Sequence, residues 1–280
     1  MQAWLQAPSR LTAHVRQALN AAGRRPPGFD PAPADRAAAS AVLLLLSACR
    51  SGSEGRREAC LVLNKRSGRV RQPGDLCCPG GSVSPRFDGW TARLLPWPFL
   101  PLGRWPIYGR WRRERPREAR WLALCLAAAL REGFEEMGLN PLRVRFLGPL
   151  PPQRLELFRR WIYPLAVWTP GPKRYRPNWE VQRVVTLPLR HLLDPARYVR
   201  CDLQLEPPRR GPATGRIQPA FRLESEEGAE ILWGATYRIV LDFLQAVFGF
   251  TPPAPERLPL VGARLGEGYF AGRGTAAGAS

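Results

Sequence analysis

Lysine is almost missing from this chain. Only Lys65 and Lys173 occur, so 40 of the 42 basic residues are arginine. Acidic residues are also scarce, 23 against those 42, which leaves a formal net charge of +19. An arginine skew of this kind, beside 31 prolines and 26 glycines, reflects genome composition as much as function. It weakens the step from basic charge to nucleic-acid binding, but still implies attraction for phosphorylated, anionic ligands. There are two histidines, His14 and His191, and no Cys-x-x-Cys pair, so no zinc-ligand spacing is present. Neither histidine reads as a ligand. The six cysteines (Cys49, Cys60, Cys77, Cys78, Cys125, Cys201) make no disulfide framework. Most lie singly in apolar runs, where a free thiol behaves as a small hydrophobe. A reducing, cytoplasmic setting is expected. No apolar run reaches the roughly 18 residues that span a bilayer, and no internal repeat is visible. Leu46-Ser47-Ala48-Cys49 looks like a lipoprotein cleavage site, but 48 residues precede Cys49. A signal peptide runs only about 15–30 residues.

What is present suffices for a core. The 280 residues are 45% hydrophobic and 10% aromatic, which excludes global disorder. Residues 9–22 place Leu11, Val15, Ala18 and Leu19 at helical spacing. Four prolines between 26 and 33 then break regular structure. The apolar runs Ala41–Ala48 and Ala59–Leu63, separated by a polar, glycine-containing stretch, predict a hairpin of buried strands. Arg66 to Asp75 reads as a polar loop. Residues 90–116, rich in Trp, Pro and Arg without a clean period, read as an inserted loop. Two roles suit such a loop: an excursion packed on the domain, or a lid or membrane-surface element, although its prolines argue against an amphipathic helix. The strongest helix starts near Pro116 and stops at Gly138. Short strands follow near 143–147, 161–168 and 182–187, then a loop over 206–219 and a second helix over 236–248. The tail from Thr251 is expected to be mobile. Strands interleaved with two main helices predict one layered α/β domain over residues 36–250, with an insertion at about 89–116, a helix and Pro-rich linker before it (1–35) and a flexible tail after it (251–280).

The end of the long helix carries the chemistry. Glu132, Glu135 and Glu136 stand at i, i+3 and i+4, which puts three carboxylates on one helix face. Like charges so placed repel unless neutralised, and a hard divalent cation prefers such oxygen ligands. Arg131 lies four residues before Glu135 and can pair with it. Gly133 sits mid-helix at a cost of about 1 kcal/mol, which implies a close neighbour. Upstream, Gly80-Gly81 allows a sharp turn or a close backbone approach.

Gly80-Gly81 followed by Arg131-Glu132-x-x-Glu135-Glu136-x-Gly138-Leu139 resembles the Nudix box. The second half of that box matches at every fixed position. Leu61-Val62-Leu63-Asn64-Lys65-Arg66-Ser67, Arg71, Gly74 and Cys78-Pro79-Gly80-Gly81 are similar to the signature of the coenzyme A diphosphatase subfamily. Leu147–Pro151, Glu180-Val181, Leu187–Leu189 and Trp233–Thr236 look like later landmarks of that group. The resemblance covers roughly residues 36–250. It departs from the family in four places, one of them a signature loop that is one residue short before Gly74. Gly80 and Arg131 are 51 positions apart, so about 37 residues are inserted inside the box. Cys78 replaces the usual Phe. The box's upstream glutamate has two candidate replacements, Asp88 and Glu118.

The resemblance implies a Nudix-like α/β/α sandwich with a mixed sheet and a metal-dependent hydrolase of a diphosphate. Coenzyme A or acyl-CoA is the expected substrate, cleaved to an adenosine bisphosphate and a phosphopantetheine product. Hydrolysis of NADH or another nucleotide diphosphate is the alternative within enzymes. A weakly catalytic nucleic-acid-binding protein is the alternative outside them. Glu132, Glu135 and Glu136 are then the ligands of Mg²⁺ or Mn²⁺. Arg131 orients them, Glu135 or Glu180 serves as general base, and Arg66, Arg71, Gly80 and Gly81 bind substrate. The expected partner is a small-molecule diphosphate, with no specific nucleic acid and no transmembrane segment; a homodimer is left open.

Overall fold

The computed structural model describes residues 7–21, 29, 39–51, 56–155, 160–170, 174–205, 216–225, 228–265 and 269. Most of the Pro-rich linker and the end of the tail lie outside them. So does most of the loop expected over 206–219.

β1 (Ala39–Ser51) is the spine of the fold. Val42, Leu44 and Leu46 join one buried cluster and Ala41, Leu43 and Leu45 the other. A strand covered on both faces reads as an unbroken apolar run, which is why four leucines stand in a row. β1 pairs antiparallel with β2 (Arg56–Arg66), Leu45 opposite Val62, as the expected hairpin. It also pairs with the short β4 (Gly80–Ser82), while β3 (Leu76–Cys77) lies on the far side of β2. β5 (Arg145–Pro149) and β6 (Gln153–Leu155) both pair antiparallel with β7 (Arg160–Trp168). β7 runs parallel to β1, and β8 (Val181–Pro188) pairs antiparallel with β2. The result is a mixed eight-stranded sheet, with β3-β2-β1-β7-β5 as its main path.

Helices cover both faces. α1 (Pro8–Asn20) inserts Leu11, Val15 and Leu19 into the same cluster as Val42 and Leu44. On the opposite face, α2 (Pro85–Leu94), α3 (Tyr108–Glu114) and α4 (Pro116–Met137) share a cluster with Leu43 and Leu45. α4 is buried along most of its length and ends at Gly138, whose φ of 68° is left-handed. There the N–H groups of Gly138 and Leu139 donate to Phe134 and Gly133 carbonyls, closing the last turn. A side chain at Gly133 would lie 3.1 Å from Leu139 and 3.4 Å from Leu43 of β1, which explains the mid-helix glycine.

A second, four-stranded sheet was not foreseen. β9 (Tyr198–Leu205), β10 (Arg216–Ser225), β11 (Gly228–Leu232) and β12 (Leu260–Leu265) form it in the order β11-β10-β9-β12. α5 (Gly234–Phe248) follows β11 and buries Tyr237, Val240 and Leu244, as its stripe predicts.

Two expectations need correction. Residues 90–116 are not a structureless loop: α2, a series of turns and α3 fill them. Leu95, Leu102, Trp105 and Tyr108 from this segment are buried against α4. Trp105 is 2% exposed, with its ring 4.8 Å from Phe146 and 5.4 Å from Trp111. The tail after Thr251 also has order, because Leu260–Leu265 adds a parallel strand to β9.

That tail reaches back to the loop before β3. Asp75 accepts hydrogen bonds from the Tyr269 hydroxyl at 2.5 Å and the Trp233 indole at 3.3 Å. Burial nevertheless pushes its carboxyl up to about 6. The folded chain thus holds this proton to a higher pH than the unfolded chain, where release centres near 3.9. The stabilising contribution is full below about pH 4 and is lost as pH rises through about 6. Asp75→Asn cannot titrate. Wild-type protein should therefore lose roughly 2 kcal/mol of stability relative to Asp75→Asn between pH 4 and pH 7. Urea unfolding of both proteins across that range measures it; a constant difference would refute it.

Candidate active site

The site forms where the C-terminal end of α4 meets β4 and the turn before β8. Close backbone approach explains the paired glycines. A Cβ on Gly80, whose φ is 144°, would come within 2.3 Å of the Ala41 carbonyl oxygen of β1. A Cβ on Gly81 would come within 2.5 Å of the Glu132 carboxyl carbon. At Gly80 only glycine lets β4 lie this near the β1 backbone, whereas a side chain at Gly81 would displace the Glu132 carboxylate.

Glu136 is the deepest of the three acids, 9% exposed. Its Oε2 accepts from Asn64 Nδ2 at 3.0 Å and from the Gly80 N–H at 3.1 Å. Burial pushes its carboxyl up to about 8, against the opposing pull of the Gly80 N–H, and the charges of Glu132 and Glu180 add to the rise. Glu132 is also raised, first by burial, with Arg131 opposing. Glu135 is half exposed.

Arg131 organises the rest. Its Nε donates to Asp88 Oδ1 at 2.8 Å, one terminal nitrogen reaches Glu132 at 3.0 Å and Glu135 at 3.3 Å, and the other reaches the Ser82 carbonyl at 3.2 Å. The Asp88 bond, first, and the nearby Glu132 hold the guanidinium firmly charged. Asp88 is 1% exposed and also accepts the Ser84 N–H at 2.7 Å, fixing the start of α2. Of the two candidates for the upstream acid, Asp88 therefore faces Arg131. Glu118 sits in the first turn of α4, 3.9 Å from Arg115 and far from the Arg131 end.

Glu180 reaches the site from the opposite side. The Asn178 N–H donates to the Glu136 carbonyl at 2.9 Å, and Asn178 Oδ1 accepts the Glu180 N–H at 2.8 Å. The Ser67 N–H in turn donates to the Glu180 carbonyl at 2.8 Å. This ties the Arg66–Asp75 loop, the Glu180 turn and α4 together. Arg66 lies close enough for its charge to act on Glu136, and its Nε donates to the Arg71 carbonyl at 2.7 Å. The guanidinium of Arg71 is exposed. Cys78 is buried beside Leu76 in the core, a position apart from the polar site. His14 Nε2 pairs with the Val247 carbonyl at 2.8 Å, and burial lowers His191.

Asn64 and Asn178 were missed as site residues. Asn64 is 1% exposed at the end of the apolar run Ala59–Leu63, and a polar side chain there was the available signal. Its Oδ1 is buried without a hydrogen-bond partner, beside the Nδ2 that holds Glu136.

Among the described residues, no three Asp, Glu, His or Cys side chains stand as a ready ligand set. Glu132 and Glu135 share Arg131, while Glu136 turns to Asn64 and Gly80. The donor set nevertheless suits a hard cation. It offers carboxylate oxygens, two of them held up by burial, so that a cation would favour their ionised form. No helix among the described residues is long and apolar enough to cross a membrane.

No protein-family model and no curated protein matches the chain. Solved structures that match include RenU, a Nudix hydrolase from M. smegmatis, at 16% identity and a TM-score of 0.32, covering 56% of this chain and 73% of that one. A binary complex of a C. elegans Ap4A hydrolase matches at 15% identity and a TM-score of 0.34, covering 54% and 80%. The NUDIX domain of Shewanella oneidensis NrtR, complexed with ADP ribose, matches at 13% identity and a TM-score of 0.33, covering 55% and 75%.

Proposed function

We propose that this protein is a Nudix-type, metal-dependent hydrolase of a nucleoside diphosphate derivative, with coenzyme A or acyl-CoA as the substrate. The observation that carries the reading is the convergence of Glu132, Glu135, Glu136 and Glu180 beside the Gly80-Gly81 turn, with Arg131 anchored on Asp88. Glu132, Glu135 and Glu136 would hold Mg²⁺ or Mn²⁺. When bound, the cation offsets diphosphate charge and makes water a stronger nucleophile at neutral pH.

The chain's own residues supply the rest. Asn64 and the Gly80 N–H fix the Glu136 rotamer. Arg131 does the same for Glu132 and Glu135 through one nitrogen. Glu135, half exposed, or Glu180, on the facing turn, would take a proton from attacking water. Arg66 and Arg71 present guanidinium groups that match phosphate geometry. Phe134 and Trp179, both largely exposed and next in sequence to Glu135 and Glu180, offer apolar surface for a nucleoside base.

Coenzyme A carries a 3′-phosphate that most other nucleoside diphosphate derivatives lack. Cleavage of coenzyme A should exceed that of its 3′-dephospho form by at least ~10-fold in kcat/KM, equivalent to about 1.4 kcal/mol of phosphate contact. Arg71→Ala should narrow that gap and leave turnover of the dephospho compound nearly unchanged. Kinetics of both compounds on both proteins, with products identified by mass, test this. Preference for NADH or for the dephospho form would remove the coenzyme A assignment and leave the broader hydrolase reading in place. Loss of all diphosphate turnover with Mg²⁺ and Mn²⁺ would remove both.

A further inference from the structure

α2 has two apolar faces, and only one of them is used. Its inner face carries Asp88 and Ala92 toward α4, and Leu95 just after the helix joins them. Phe87, Trp90 and Leu94 recur at i, i+3 and i+7, which places them on one stripe of the other face. Phe87 is 76% exposed and Trp90 73%. The turn after the helix adds Trp97 at 52% and Phe99 at 62%, their rings edge to face at 5.9 Å. Half of the large apolar side chains exposed among the described residues thus fall within residues 87–99. Scattered exposed hydrophobes need no explanation, but a contiguous set of aromatic ones marks a contact surface.

The charges beside this face select the occupant. Arg86 and Arg93 flank the stripe, and the Arg93 guanidinium lies 5.5 Å from the Trp90 ring centre. The acid of α2, Asp88, is buried and engaged by Arg131, so it does not offset them. On α3, which packs on α4 as α2 does, Arg110 pairs with Glu114 while Arg112 and Arg113 stay exposed. A helix with Trp, Phe and Leu on one side and arginine along its border matches the chemistry of an anionic bilayer surface: apolar rings enter the acyl boundary while guanidinium groups meet phosphates.

We propose that the outer face of α2 and the turn following it seat this protein on anionic phospholipid membranes as a peripheral protein. The prolines that break the segment after Leu94 do not prevent this, because the helix precedes them. The inference stands apart from the hydrolase reading, since none of the side chains it uses belongs to the acidic site.

Vesicle flotation with the full chain tests it. The protein should float with vesicles of phosphatidylcholine and phosphatidylglycerol in equal parts, and stay unbound with phosphatidylcholine alone. Trp90→Ser combined with Trp97→Ser should weaken partitioning at least ~10-fold, with thermal unfolding unchanged because both side chains face solvent. As a readout independent of any variant, brominated acyl chains in the anionic vesicles should quench tryptophan fluorescence of the unaltered protein. Failure to float, absence of quenching, or equal binding by the double variant would overturn the proposal; the last would mean attraction by arginine charge alone. It would equally be overturned by a dimer in solution that the double variant no longer forms, because the face would then be covered by a second copy.

Discussion

Glu136→Gln should lower turnover by at least ~100-fold while leaving the fold intact. The substitution keeps side-chain shape, and its amide oxygen can still accept from Asn64 Nδ2 and the Gly80 N–H. What it removes is the ionisable oxygen pair that would face the cation and the diphosphate. Stability should not suffer, because Glu136 is buried, its carboxyl is raised to about 8, and the neighbouring Glu132 and Glu180 repel its charge. The measurement pairs kcat under saturating Mg²⁺ with the thermal midpoint. A hundredfold loss corresponds to about 2.7 kcal/mol of transition-state stabilisation. A well-folded variant with unchanged turnover would remove Glu136, and with it the proposed ligand face, from the mechanism.

The second large effect concerns the segment between α2 and α4. Excising residues 90–115 and bridging the ends with a short Gly/Ser linker should abolish cooperative folding. Surface loops tolerate such cuts because loop closure depends weakly on length. This segment instead buries Leu95, Leu102, Trp105 and Tyr108 over α4, and its removal would bare Trp121, Leu122 and their neighbours. Trp105→Ala gives a graded version. It should cost about 3–5 kcal/mol, the range for deleting a large buried aromatic. That is a large share of the 5–15 kcal/mol typical of a whole domain. Urea midpoints report the single substitution, and solubility with near-UV dichroism reports the deletion. A shortened chain that unfolds cooperatively would show the segment to be dispensable.

The long helix was the most legible element in the sequence, because its signals are local. Pro116 at its start, Gly138 at its end and the acids on one face all follow from spacing within one stretch of chain. The Arg131 to Glu135 contact was legible for the same reason. The Asp88 partner of Arg131 was ambiguous because 43 residues separate the two, and spacing alone could not decide between Asp88 and Glu118. α2 and α3 were hidden by their apolar residues. α2 shows them on both sides, one buried and one exposed, so no single stripe emerges; Trp105 packs from an irregular turn with no period at all. In β9 the alternation Val199, Cys201, Leu203, with Arg200, Asp202 and Gln204 between them, was present in the sequence and went unread. β12 carries too short a pattern to be read without its partner β9.

The parallel pairing of β1 with β7 has a consequence for synthesis. Ala39 meets Trp161, so one strand must wait for another made 122 positions later. At roughly 5–20 residues per second, about 6–24 seconds pass before β7 leaves the ribosome. During that interval β1 can pair along one edge, with β2 through Leu45–Ser51 and with β4 through Ser40–Val42. Its other edge is an unpaired apolar template, the kind of strand that nascent chains join to one another. Production of this protein should therefore depend on chaperone capacity and growth temperature more than its finished core would suggest.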